Sequence, residues 1–239
     1  MGLTVAIHQP NFLPWGGYFL KILKSDLFVF LDTAQYTKDS LINRNRIKTP
    51  QGAQWLTAPV LTKGRGLQPI SAVEINPTGR WREKHLQAFH TNYARAPYFR
   101  EHFRTLETCY RGAETHIADF NIRLIRSLCG QLQIRTRLFR ASELKAEGNG
   151  TSRLVNLCRE VGADRYICGG GAYKYQEDEE FHRQGIAVAY LHYRCSNYPQ
   201  LWGEFCENLS FIDMLFNCGP AALQLLQSSA TWEDHPWAP

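Results

Sequence analysis

Within the first 48 residues, an imidazole, several carboxamides, an indole, a strand-end carboxylate and a basic cluster follow two short apolar runs. His8 closes the run 3–7, where a side chain that titrates near neutrality can act as a general base or bond a substrate. Gln9 and Asn11 each carry a donor and an acceptor on one planar group, suited to amide, carbonyl or sugar hydroxyl partners. Trp15 and Tyr18 offer flat faces for a base or a sugar ring. Between them Gly16-Gly17 opens a helix start, where backbone N–H groups can approach a phosphate. Asp32 follows the second run, 27–31, and suits a hydroxyl, an amine or a metal. Beyond it come Gln35, Tyr36 and the cluster Asn43-Arg44-Asn45-Arg46-Ile47-Lys48, whose guanidinium forks suit phosphate or carboxylate. Arg44 and Arg46 share one strand face and Asn43 and Asn45 the other, so only one pair faces a ligand. Each group also has a structural use: a carbonyl-bonded buried imidazole, a turn cap, core aromatics, a solvated basic hairpin edge.

A second glycine site, Cys168-Gly169-Gly170-Gly171-Ala172-Tyr173, again lies between an apolar run and a helical pattern. Three consecutive glycines cost backbone entropy, so close approach or positive φ is required there. The spacing is not G-x-G-x-x-G, which argues against a dinucleotide fingerprint and leaves an anion or substrate nest. No base adjoins Cys168 in sequence to make it a nucleophile.

The elements that must hold these groups read as alternating strands and helices. The runs 3–7 and 27–31 flank a short helix over 16–25, a β-loop-α-β unit whose strands pair in parallel. Residues 46–48 and 54–60 flank Thr49-Pro50-Gln51-Gly52 as a hairpin. After a strand candidate at 70–75, three helices are predicted over 81–93, 98–110 and 117–132. Helix and strand then alternate: 136–139, 153–161, 165–168, 174–183 and 186–190, with two helices over 209–226. The fold class is α/β, a mostly parallel Rossmann-like sheet flanked by helices, with a hairpin insertion and a helical segment. It is read as one domain over 1–228, with the helical insertion at about 80–133 and a frayed tail over 229–239.

The net charge of +5 is mild and the 27 basic residues are spread along the chain, which argues against nucleic acid as a partner. Seven cysteines without a C-x-x-C pair or a zinc spacing point to reduced, mostly buried thiols in a cytoplasmic protein, with no metal site. No apolar run approaches the ~20 residues needed to span a bilayer.

The string IHQPNFLPWGGYFLKILKSDLFVFLD, followed by QYTKDSLINRNRIK and WLTAPV, resembles the WbqC-like family of bacterial proteins. RAPYF at 95–99, GADRYICGGGAYKY at 162–175 and LSFIDMLFNCG at 209–219 extend the resemblance along the chain in the same order. It implies an enzyme of surface-polysaccharide gene clusters that adds an acyl group, glycyl among the candidates, to an amino sugar. The matching positions are His8, Gln9, Pro10, Asn11, Pro14, Trp15, Asp32, Gln35, Tyr36, Asn43, Arg44, Asn45, Lys48, Gly169 and Gly171. Leu41 stands where the family pattern tends to carry an aromatic or polar residue. The segment P-W-G-G-Y also faintly resembles the P-x-H-x-G-H loop of nucleotidylyltransferases, with aromatic residues at both histidine positions.

The expected substrate is a small molecule, nucleotide-linked or phosphate-bearing. His8 and Asp32 are the candidate catalytic groups. Substrate binding is assigned to Gln9, Asn11, Trp15, Gly17, Tyr18, Gln35, Tyr36, Asn43, Arg44, Asn45, Lys48, Gly169, Gly170, Gly171 and Tyr173. The alternatives are ATP-dependent nucleotidylyl transfer or ligation, and a non-catalytic sugar-nucleotide-binding protein. Cofactor and oligomeric state stay open.

Overall fold

Strand β1 (Thr4–His8) pairs in parallel with β2 (Leu27–Phe30) on one side, and helix α1 (Gly16–Leu23) makes the crossover between them. These strands read as unbroken apolar runs because both sheet faces are covered. Val5, Ile7, Leu27 and Val29 face one core, while Ala6, Phe28 and Phe30 face the other, as a side-chain period of two requires. The computed structural model describes residues 2–174 and 176–235, with the side chains of Tyr173, Asp234 and His235 outside the description.

A hairpin follows, β3 (Arg44–Thr49) antiparallel to β4 (Gly52–Thr57), and forms its own two-stranded sheet. The segment 70–75 does not become a strand. Ile70–Ala72 is one turn of 3-10 helix, and Val60↔Ile75 and Glu74↔His116 are isolated bridges. Three helices then form the helical segment: α2 (Trp81–Tyr93), α3 (Phe99–Tyr110) and α4 (Ile117–Gln131). Their aromatic residues interlock, with Trp81, His85, Tyr110 and Phe120 ring against ring at 5.2–5.8 Å.

The main sheet resumes with β5 (Arg137–Arg140), which pairs in parallel with the free side of β2. Helix α5 (Gly150–Glu160) leads to β6 (Arg165–Gly169), which pairs with the other side of β1. A single turn of 3-10 helix at Ala172–Lys174 and the short α6 (Asp178–His182) stand in place of one helix over 174–183. Then β7 (Ala187–Tyr193), α7 (Phe211–Cys218) and α8 (Ala221–Ser228) complete the cover. The tail from 229 is not frayed as far as 235. Strand β8 (Ala230–His235) pairs antiparallel along β7, its ladder capturing a segment with no apolar period of its own. Residues 236–239 of the expected tail lie outside the described residues.

The sheet order is β5-β2-β1-β6-β7-β8. Without the hairpin, the six strands run third, second, first, fourth, fifth, sixth in chain order. This is a doubly wound sheet with its direction of winding reversed between β1 and β6, and a crevice opens beyond the carboxyl ends of the strands at that point.

Candidate functional site

A cavity of about 660 Å³ occupies that crevice. Its walls come from the carboxyl ends of three strands: Ile7 and His8 of β1, Cys168 and Gly169 of β6, and Leu191, His192 and Tyr193 of β7. Gln9 and Trp15 enter from the opening loop, Gly17 and Lys21 from α1, and Gly170, Gly171 and Gln176 from the loop after β6. The two glycine-bearing strand ends of the sequence therefore meet in one place, as neighbours across the switch point.

His8 Nδ1 lies 3.0 Å from the backbone oxygen of Gln9, so this nitrogen carries the proton and donates it. Nε2 keeps its lone pair and has no protein partner among the described residues. Burial first, and the nearby Lys21 ammonium second, lower the His8 pKa to about 3, so the ring is neutral at physiological pH. Its face is backed by Tyr18 in an edge contact at 4.9 Å between ring centroids. Tyr18 itself is fully buried against Phe19 and Phe28. It therefore sets the plane of the imidazole and offers no face to a ligand.

Lys21 is the group that sequence reasoning passed over. It is only 6% exposed, it lines the cavity, and no hydrogen bond or ion pair holds its ammonium among the described residues. No carboxylate lines this cavity among the described residues. Desolvation lowers its pKa to about 8, still on the charged side at neutral pH. A buried cation without a counter-charge is costly and calls for an anion from outside the chain. The signal was available: α1 is apolar on every side except at Lys21, one helical turn beyond Gly17 on the same face.

The glycines serve close approach rather than unusual backbone, since none of Gly16, Gly17, Gly169, Gly170 and Gly171 has positive φ. A Cβ at Gly17 would enter the Trp15 ring, one at Gly16 would meet the Tyr193 hydroxyl, and one at Gly170 would meet the His192 imidazole. Trp15 and Tyr193 touch edge to face at 5.5 Å, so these glycines let three aromatic side chains fold into the rim. Among the described residues, the space beside Gly169 and Gly171 is open. His192 Nε2 is held 3.2 Å from Glu233 of β8, giving the last strand a place at the site. The Tyr173 side chain lies outside the described residues. Cys168 is buried, its thiol pushed up to about 12 by burial, which removes the thiolate a nucleophile needs.

The hairpin cluster does not share this cavity. Lys48 is 2% exposed and donates to Gln200 Oε1 at 2.9 Å and to the Glu204 carbonyl at 2.5 Å, so its charge is spent on the 200–206 loop. Arg44 pairs with Asp39 at 3.1 Å and lies over the Trp55 ring at 4.6 Å. Asn43 donates to the Ala58 carbonyl and accepts from the Tyr36 hydroxyl. Asn45 donates to the Leu13 carbonyl at 2.7 Å, and Asn121 of α4 reaches the carbonyls of Pro10 and Ile42. The amides thus tie the opening loop in place from behind. Asn11 is buried with that loop, away from the cavity wall. Asp32 is fully buried, accepting from Arg140 Nε at 2.9 Å and from the backbone N–H and hydroxyl of Ser142. Both its oxygens are engaged, so it anchors the turn after β5. Gln35 lines a smaller adjoining cavity.

The sequence model described as the WbqC-like protein family matches residues 9–225. The chain belongs to the WbqC-like family. A protein of Mycobacterium tuberculosis (strain ATCC 25618 / H37Rv), named only as an uncharacterized protein, is 39% identical over 225 residues, covering 93% of this chain and 97% of its own length. No solved structure matches the chain. The family match begins at Gln9 and spans the opening loop, Lys21 and the triple glycine, so the cavity of this WbqC-like chain lies almost wholly within the matched region. Among the described residues no helix is long and apolar enough to cross a membrane, and no group of three or more His, Cys, Asp or Glu is placed to hold a metal ion.

Proposed function

We propose that this chain transfers an acyl or aminoacyl group, glycyl included, to the amine of a nucleotide-linked or phosphate-bearing amino sugar in bacterial surface-polysaccharide or related biosynthesis. The observation that carries the reading is the Lys21 ammonium, uncompensated among the described residues, beside a neutral His8 in the switch-point cavity. Lys21 takes the phosphate or carboxylate of the substrate, with the backbone of Gly169–171 available to a second anionic portion. His8 acts through the Nε2 lone pair. The sugar amine attacks the carbonyl carbon of an activated ester or thioester donor, forming the C–N bond. His8 accepts the amine proton and returns it to the leaving alcohol or thiol as the donor bond breaks.

A base whose conjugate acid has a pKa of about 3 is weak, burial being the larger cause and the Lys21 charge the smaller. The Lys21 charge is one of the two forces lowering it. An anion seated on Lys21 cancels that repulsion and raises His8 toward the working range, coupling basicity to substrate occupancy. Gln9 and Trp15 supply acceptor orientation and a ring face.

The test is acyl transfer followed by mass spectrometry with UDP- and dTDP-amino sugars against acyl and glycyl thioesters, with and without ATP. N-acylated sugar formed without ATP, and lost in His8→Gln and Lys21→Met, supports the reading. ATP turnover with pyrophosphate release would instead favour nucleotidylyl transfer or ligation. Tight sugar-nucleotide binding without turnover, unchanged in His8→Ala, would make the chain a binding protein.

A further inference from the structure

Beside the switch-point cavity lies a second cavity of about 330 Å³, and Leu31, Leu154 and Gln176 line both. Its own walls are Ala34 and Gln35 after β2, and Asn149, Gly150, Thr151 and Arg153 at the start of α5. The chemistry of the two differs. The first holds a free cation, whereas the second presents no free charge among the described residues. The Arg153 guanidinium is already spent on the carbonyls of Gly148 and Thr33 and on Asn149 Oδ1, at 2.7–3.2 Å, so it fixes the wall.

What remains for a ligand is neutral. The Gln35 side chain is exposed and makes no hydrogen bond within the described residues. On the shared wall Gln176 is 9% exposed, its Nε2 donating to Asp178 at 2.8 Å, while its carbonyl oxygen, itself buried, has no donor among the described residues. Leu31, Ala34 and Leu154 give an apolar face, and among the described residues no aromatic ring lines the cavity. Carboxamides beside an aliphatic wall match a saturated, polyhydroxylated ring, whose hydroxyls both donate and accept.

We infer that this second cavity is the sugar subsite of a two-part groove, with the anionic part of the same substrate at Lys21 and the ring between Gln35 and Gln176. That one substrate spans both cavities rests on the anion reading of the first; the sugar subsite itself stands apart from it.

Amide NMR of the full 15N-labelled chain, titrated with inorganic phosphate, N-acetylglucosamine and N-acetylglucosamine 1-phosphate, tests this. Phosphate is expected to move signals at 17–21 and 169–171, and the neutral sugar those at 34–35 and 149–151. The joined probe should move both sets and bind at least about tenfold more tightly than the sugar alone, because the second contact becomes intramolecular. Ala34→Trp, which fills the second cavity, should remove the sugar response and the tenfold gain while leaving the phosphate response. Should that variant not fold, Gln35→Ala is expected to weaken the sugar response in the same sense. Sugar signals confined to 17–21 and 169–171, or no sugar response, overturn the proposal. A sugar response at 34–35 with no phosphate response at Lys21 would sink the anion reading and leave the sugar subsite in place.

Discussion

At the scale of single residues, the cavity turns on two titrating groups whose ordinary protonation the fold has altered. Lys21 falls from 10.5 to about 8, because burial desolvates its ammonium. Between those values the unfolded chain holds a proton that the folded chain has released, so stability rises with pH across about 8 to 10.5. Below that window the folded state carries the full cost of the buried charge, on the order of 3 kcal/mol at 1.36 kcal/mol per unit. Lys21→Met should therefore raise Tm at pH 7, flatten the rise between pH 8 and 10.5, and abolish phosphate binding. Thermal melts across pH, with and without phosphate, check all three; a lower Tm at neutral pH would mean that Lys21 has a partner in solution. For His8 the expected signature is a pKa that climbs on anion binding, read from the Cε1–H chemical shift. A ring whose titration is indifferent to phosphate would break the proposed coupling.

At the scale of elements, the hairpin and α4 act on the site without entering it. Asn45 and Asn121 donate to four carbonyls of the 10–13 and 42 backbone, groups that a loop so folded cannot offer to water. Asn45→Ala leaves the buried Leu13 carbonyl without its 2.7 Å donor, a loss of about 1–3 kcal/mol. The expected outcome is a lower Tm and weaker turnover, with the phosphate signals at 17–21 retained. Loss of those signals too would make the hairpin part of the binding surface. These roles show what the sequence could and could not disclose. Unbroken apolar runs disclosed β1, β2, β6 and β7, and helical spacing disclosed α2, α3 and α4, since burial of both sheet faces or of one helix face is written locally. The polar cluster 43–48 looked like a ligand site because amide and guanidinium groups bind substrates and backbone carbonyls with the same chemistry. Only the fold shows that Asn45 meets Leu13 and Lys48 meets Glu204, contacts separated by 32 and 156 positions. Lys21 is the opposite case: its place on the Gly17 face of an otherwise apolar helix is legible in the sequence, but its lack of a counter-charge among the described residues is seen only in the fold.

At the scale of the molecule, the order of strands decides where chemistry can occur, and the last strand completes that order. β8 has little apolar patterning and joins the sheet through its ladder to β7, from Val188↔His235 to Tyr193↔Ala230. It covers what would be an exposed edge and carries Glu233 to His192 on the rim of the cavity. Removing residues 230–239 would leave β7 with a free row of backbone donors and acceptors, a template for pairing with another chain. The truncated protein is expected to melt several degrees lower and to self-associate as concentration rises, which size-exclusion chromatography with light scattering would detect. His192→Ala in the full chain should lack both effects while loosening the same part of the rim. If truncation and His192→Ala weaken ligand binding equally, β8 acts on the site through the Glu233–His192 contact. If only truncation does, the strand acts by keeping β7, and with it Tyr193 above Gly16, in register with the switch point.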